Sequence, residues 1–308
     1  MSGVPASVSE GRFRGEPAIV LAAGELSAVF LPGLGMTGVS MRCRGREHLA
    51  LPGGLPALRA GATLGLPLLA PWANRLAGRQ YKVGRVDVDL SGLPLGTDDN
   101  GLPIHGLLVG RPGWRIDRRS TRAGRASFRA ALDLDSPAFP FPHRIEITVA
   151  ARDCQLAVDT AVIPTGRRAV PVAFGWHPYL RLPGTPRRRW RLQMPTRTHL
   201  TVDRFGIPTG GEEPEAREAD AIGTRTFDDL YGLGRDRTLA LEADDATISM
   251  HGATGYPYAQ VWVPKGRPFA ALEPMTSRTN SLVDGSVPLV QPGESYTATF
   301  TLAVSSPS

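Results

Sequence analysis

Cysteine and lysine are scarce in this chain of 308 residues, which holds only Cys43, Cys154, Lys82 and Lys265 of these types. With no CxxC pair, two cysteines make neither a disulfide framework nor a thiolate metal site by themselves. They read as small buried apolar residues. No apolar run approaches the roughly 18 residues of a membrane span, and the opening MSGVPASVSEGRFRGEP has no apolar stretch of the kind a secretory leader needs. A cytoplasmic location, with no membrane partner, is the resulting expectation. There is no GxSxG elbow, P-loop or strand-turn-helix GxGxxG, so nucleotide and phosphate chemistry lose ground. No HxxxH or CxxC spacing preorganises two ligands on one element, so no metal site is expected.

Hydrophobic residues make up 42% and charged residues 21%, close to globular norms, which excludes general disorder. The 35 Gly and 28 Pro suit many short strands and turns rather than long helices. A formal charge of +6 raises the question of an anionic partner. The arginines are scattered, however, and the densest group, Arg187 to Arg189 with Arg191, is broken by Trp190. It reads as the solvated face and rim of one strand, and no nucleic-acid partner is expected.

Apolar and polar residues alternate along several segments, the signature of strands with one wet face. Between Ser295 and Val304, Tyr296, Ala298, Phe300, Leu302 and Val304 face one way and Thr297, Thr299 and Thr301 the other. Similar patterns mark Val86 to Leu90, Ser127 to Leu132, Ile145 to Ala150, Leu156 to Val162 and Ala259 to Val263. The best helical attempt, Leu49 to Leu69, is interrupted by prolines and glycines. The expected fold is therefore all-β: one large antiparallel sandwich over residues 15–308 with little helix, a loose arm over 1–14, and an acidic surface loop from Thr209 to Thr224.

Five segments join polar or titratable residues to strand ends and turn breakers, where sites are usually built. They are Pro71 to Gly78, Leu102 to Gly106, Ala173 to Leu180, Thr226 to Tyr231 and Ala270 to Asn280. Glu273 closes an apolar run, Pro268 to Leu272, that reads as a buried strand. Either it sits at a wet strand end, or its carboxylate enters a pocket with a controlled pKa. His177 and His105, each flanked by apolar residues, read as satisfied core histidines or as acid–base groups. Arg75 and Asp228 taken singly read as solvated loop residues. Trp72, Trp176 and Tyr179 offer faces suited to the apolar side of a sugar ring.

Taken in order, these segments resemble the aldose 1-epimerase (galactose mutarotase) family. Asn74 to Gly78 looks like its Asn-Arg element, His105-Gly106 its histidine-glycine element, and His177-Pro178-Tyr179 its His-Pro-Tyr element. Asp228, with Asp229 one residue away, resembles its later aspartate. Glu273 to Thr276 followed by Asn280 looks like its Glu-Pro-Met-Thr element. Two places depart from the pattern: Leu102 to Gly106 lacks the first histidine of the usual Asn-His-Leu-His-Gly, and Val261-Trp262-Val263 stands where a Tyr-Thr pair is commoner.

The resemblance implies interconversion of the α and β anomers of a free aldohexose. Glu273 is then the base at O1 and His177 the acid at O5. Arg75 and His105 orient the same edge, Arg75 helps keep Glu273 ionised, and Asp228, Asn74 and Trp176 join in binding. It implies a small-molecule sugar as partner, a monomer or weak homodimer, and no cofactor. A hexose-6-phosphate epimerase, a noncatalytic carbohydrate-binding protein and a nucleic-acid binder are the rival readings.

Overall fold

The computed structural model describes residues 4–306. Two large antiparallel sheets carry the architecture. The nine-stranded one runs in the order Glu218–Ala221, Arg191–Met194, Thr238–Glu242, Thr247–Thr254, Tyr296–Ser305, Gln155–Pro164, Phe139–Arg152, Arg125–Ser136, Arg115–Arg122. The eight-stranded one runs Pro208–Glu215, Arg197–Val202, Phe227–Leu233, Tyr258–Val263, Ala270–Met275, Gly175–Trp176, Leu68–Leu69, and Tyr179–Leu180 adds to its Ala270–Met275 strand. Alternation fixes which side chains enter the core. Phe300 and Leu302 of the first sheet and Ala259, Val261, Val263, Ala270 and Leu272 of the second lie buried in one apolar cluster. Their sequence neighbours point the other way, and on the eight-stranded sheet that outer face carries the pocket described below. The α-helices among the described residues are short, Gly54–Arg59 and Ser281–Asp284, as the Gly and Pro interruptions predict. None is long and apolar enough to cross a membrane.

Four expectations are corrected. The arm expected over residues 1–14 is, over Val4–Phe13, a strand of a separate five-stranded sheet. It returns through Arg14 and Gly15 into Glu16–Gly24, and Glu10 pairs with Arg119 of the large sheet. The remainder of that arm before Val4 lies outside the described residues. The acidic loop expected over Thr209–Thr224 contains two strands, Pro208–Glu215 and Glu218–Ala221, each at the edge of a large sheet. Pairing uses backbone groups, and charged side chains are common on exposed edges, so charge did not argue against a strand there. Arg187–Arg189 is a 3-10 turn rather than a strand face, and the strand begins at Arg191.

The fourth correction concerns the cysteines. Cys43 ends a strand of the N-terminal sheet, Cys154 sits in the turn after Arg152, and the two are joined in a disulfide with Cα atoms 5.4 Å apart. Both are buried, as expected, but a pair 111 residues apart in sequence gives no local sign that the fold brings them together. Closing a loop of about 100 residues restricts the unfolded chain by roughly 4–5 kcal/mol in the loop-entropy account. The bond bears on the expected cytoplasmic location too, since disulfides persist mainly in oxidising compartments.

Candidate active site

The outer face of the eight-stranded sheet presents its functional side chains by register. Gln260 is the cross-strand partner of Glu273, and Asp228 of Trp262, so period-two alternation brings all four to one face. The sheet is roofed by two loops that zip together. His105 N–H donates to the Asn74 carbonyl at 3.0 Å, Leu107 N–H to the Ala70 carbonyl at 2.7 Å, and Leu76 N–H to the Pro103 carbonyl at 2.9 Å. Asn74, His105 and Asn280 all take left-handed backbone conformations, with φ of 56°, 62° and 70°. Such residues persist where neighbours over-determine them, often beside binding sites. Here Asn280 N–H donates to the Arg75 carbonyl at 3.1 Å, and its side-chain oxygen accepts from Ala77 N–H at 2.7 Å. Gly106 allows the loops to meet, because a Cβ there would run into the Ala70 carbonyl.

At the floor of the pocket His177 Nε2 lies 3.2 Å from Glu273 Oε1, both side chains almost fully buried. Tyr179 stacks on the His177 ring, with centroids 4.5 Å apart and planes 16° apart, and Trp262 stands edge-on to both. The His105 ring meets His177 edge to face at 5.6 Å. Tyr179 Oη and Thr63 Oγ1 share a hydrogen bond of 2.8 Å. Gln260 Nε2 donates to Asp228 Oδ1 at 2.7 Å. Arg75 is held by Asp98, to which its Nε donates at 2.9 Å, and by Asn74 Oδ1 at 3.1 Å, while Asp228 lies 3.8 Å from its other nitrogen. Apart from Asp98, these groups line a cavity of about 330 Å³.

The electrostatics follow from burial. Desolvation pushes the Glu273 carboxyl well above the usual carboxylate range, Asp228 adds to the rise, and Arg75 opposes it. Arg75 was expected to keep Glu273 ionised, but its charge is spent largely on Asp98 and Asp228. Desolvation, with nearby His105, holds His177 well below the ordinary imidazole value. Burial, then Arg75, lowers His105 to about 3. His48 and His143 are lowered by burial as well.

A histidine neutral in the fold and charged when unfolded contributes stability above its unfolded pKa of about 6.5 and loses it as pH falls. The raised Glu273 works in the opposite sense, its contribution being complete at low pH and lost as pH rises. Asp229, raised by burial too, acts in the same sense as Glu273, but four histidines outnumber these two carboxyls, so the urea midpoint is expected to fall between pH 7 and pH 5. A midpoint that holds or climbs on acidification would show that these imidazoles are not kept neutral.

Of the residues expected in the site, Glu273, His177, Arg75, His105, Asp228 and Asn74 line the pocket together. Asp229, the alternative to Asp228, instead faces His199 at 3.5 Å. Trp176 is a correction. It follows Gly175 on a strand whose next side chain, His177, points to the pocket, so Trp176 points into the core. There it is fully buried, donates from Nε1 to Thr160 Oγ1 at 3.0 Å and packs on Phe300. Trp72 is buried in the same cluster. The aromatic walls of the pocket are Tyr179 and Trp262. Sequence reasoning missed Gln260, Trp262, Thr63 and Asp98. The alternation of Ala259, Val261 and Val263 already put Gln260 and Trp262 on the opposite face, and the near-complete burial of Gln260 marks that face as a pocket rather than open surface.

The structure thus defines a large antiparallel β-sandwich whose outer sheet face holds a buried histidine–glutamate pair at the bottom of an open cleft. The profile of the aldose 1-epimerase family matches residues 39–303, and the chain belongs to that family. Among solved structures it is similar to a galactose mutarotase-like protein from Clostridium acetobutylicum, at 19% identity and a TM-score of 0.88, covering 98% of this chain and 99% of the other. It is also similar to galactose 1-epimerase from Lactobacillus acidophilus NCFM, at 14% identity and a TM-score of 0.80, covering 99% and 100%. The GalM/aldose epimerase homologue from C. elegans matches at 16% identity and a TM-score of 0.76, covering 98% and 100%. At these identities the likeness concerns the fold. No curated protein sequence matches the chain at a significant level.

Proposed function

We propose that the chain is an aldose 1-epimerase that interconverts the anomers of a free, uncharged aldohexose. The observation that carries this reading is the contact of Glu273 Oε1 and His177 Nε2 at 3.2 Å on the pocket floor. The ring oxygen O5 and the hydroxyl O1 of a cyclic aldose are bonded to the same carbon, so a base and an acid that serve them must stand side by side. Glu273 takes the O1 proton as His177 gives one to O5. The C1–O5 bond breaks, C1=O1 forms, and rotation about C1–C2 followed by the reverse transfers closes the other anomer.

The pair carries one proton throughout. Burial keeps the resting pair neutral, carboxyl with imidazole. Passing that proton from Glu273 to His177 across their contact gives the reactive carboxylate and imidazolium, ring opening returns the pair to the neutral form, and reclosure runs the same transfers in reverse. General acid–base catalysis of this kind contributes about 10² to 10⁴ in rate per group. The same reaction needs no electron acceptor and no transferred group, which fits the expectation of no cofactor. His105 and Arg75 flank the reacting edge, Asp228 and Gln260 offer partners for hydroxyls, and Trp262 and Tyr179 supply apolar faces. A phosphorylated sugar fits less well, because Arg75 is already engaged by two carboxylates. A purely binding role leaves the buried Glu273–His177 contact without a purpose.

The test is polarimetry of freshly dissolved α-glucose and α-galactose, each run with and without protein across pH. The expected result is accelerated decay of rotation. Because His177 is lowered and Glu273 raised, the pair gains a second proton only well below pH 6.5 and loses its one proton only well above pH 4.5. The acid limb of the rate should therefore lie below the ordinary histidine range and its alkaline limb above the ordinary carboxylate range. No acceleration over buffer for any free aldose would overturn the reading.

A further inference from the structure

Arg75 flanks the reacting edge, yet the carboxylate that aims it lies outside the pocket. Asp98 belongs to the Ser91–Gly101 segment, which is mostly exposed, while its own side chain is only 6% exposed. Its two oxygens divide their work. Oδ1 accepts from Asn100 N–H and Leu102 N–H, both at 2.9 Å, and so turns the chain back toward His105. Oδ2 accepts from Arg75 Nε at 2.9 Å and, less closely, from Asn100 Nδ2 at 3.4 Å. One carboxylate thus joins the two loops that roof the pocket.

A guanidinium is a rigid planar fork, so fixing two of its nitrogens fixes where the third points. Asp98 holds Nε, and Asn74 Oδ1 accepts from Nη1 at 3.1 Å. Nη2 lies 3.8 Å from Asp228 and makes no hydrogen bond among the described residues, so it is left to donate to a sugar oxygen. Charge is set by the same contact. The ionisable groups around Glu273 and His177 are Arg75, Asp228, Asp99 and His105, with Tyr179 kept neutral by burial. Arg75 is the one arginine or lysine that lines this pocket. Asp98 neutralises it from outside, which limits its pull on the proton that Glu273 and His177 share.

We propose, resting on the anomerase reading, that Asp98 is a positioning residue of the site, holding Arg75 at the angle and net charge that the reacting pair requires. Asp98→Asn separates its two tasks. The asparagine Oδ1 caps the same turn, but its Nδ2 meets Arg75 Nε donor to donor, so the tie is lost and the loop kept. Asp98→Ser is the second variant, since its hydroxyl caps the turn more weakly and is too short to reach Arg75. Each should lower kcat/KM for glucose by about tenfold to a hundredfold, as misplacing an orienting group does.

The pH–rate profile tells positioning from loosening. A less neutralised Arg75 disfavours every protonated form of the pair, so both limbs should move to lower pH, by about half a unit. A loop that only loosened and let water in would draw the limbs together, because hydration lowers a buried carboxyl and raises a buried imidazole. Arg75→Met should lose as much rate, and Asp98→Asn added to it should cost less than about twofold more, because Asp98 acts through Arg75.

A thermal melt identifies the folded variants. A folded Asp98→Asn or Asp98→Ser with the parent's rate and profile would overturn the assignment, as would limbs that close on each other or losses that add in full to those of Arg75→Met. Unfolding of both Asp98 variants would overturn it too, by making the residue structural. A parent silent on every free aldose would overturn the anomerase reading and this role with it.

Discussion

Glu273→Gln is expected to lower kcat/KM for anomerisation by about 10³-fold and leave the fold intact. The amide keeps the shape of the carboxyl, and the strand around it, Ala270–Met275, is paired on both sides. What it loses is the ability to hold a proton taken from O1, so the one-proton cycle with His177 has no acceptor. Thermal stability should not fall, because replacing a buried carboxyl by a neutral isostere relieves its desolvation. Polarimetry and a thermal melt on the same sample check both halves. A variant that melts like the parent and turns over like the parent would remove Glu273 from the chemistry.

His177→Asn should lower kcat by about 10² to 10³-fold while KM changes little, because the acid acts on the departing O5 rather than on the resting sugar. The cost in stability is expected to be about 1–3 kcal/mol, since the imidazole is the surface on which Tyr179 stacks and its loss leaves a gap beside that ring. The diagnostic readout is the division between kcat and KM, measured from initial rates of rotation change. If KM alone moved, His177 would be a binding residue and the acid would have to be sought at His105.

Much of the sheet structure was legible because alternation is a local property. The strands at Tyr258–Val263 and Tyr296–Ser305 appear within a residue or two of where their patterns lie. Edge strands were not, because Pro208–Glu215 pairs through its backbone and its exposed glutamates resemble loop sequence. The polar members of the pocket were legible mainly through family resemblance, for no spacing in the chain says that Arg75, His105, His177 and Glu273 meet. Trp176 was misplaced by adjacency to His177, since neighbours on a strand point to opposite faces. Gln260 and Trp262 stand opposite Ala259, Val261 and Val263 in the same alternation, but alternation alone does not distinguish a pocket face from a wet one.

The Cys43–Cys154 bond also changes what it would mean to cut this chain. The Ser91–Gly101 segment, mostly exposed, lies between the two cysteines in sequence. A protease that nicks it produces two polypeptides that remain one molecule, tied at the seam between the N-terminal sheet and the sandwich. On a gel such a nicked protein runs as a single covalent species until thiol is added, and only then separates into its parts.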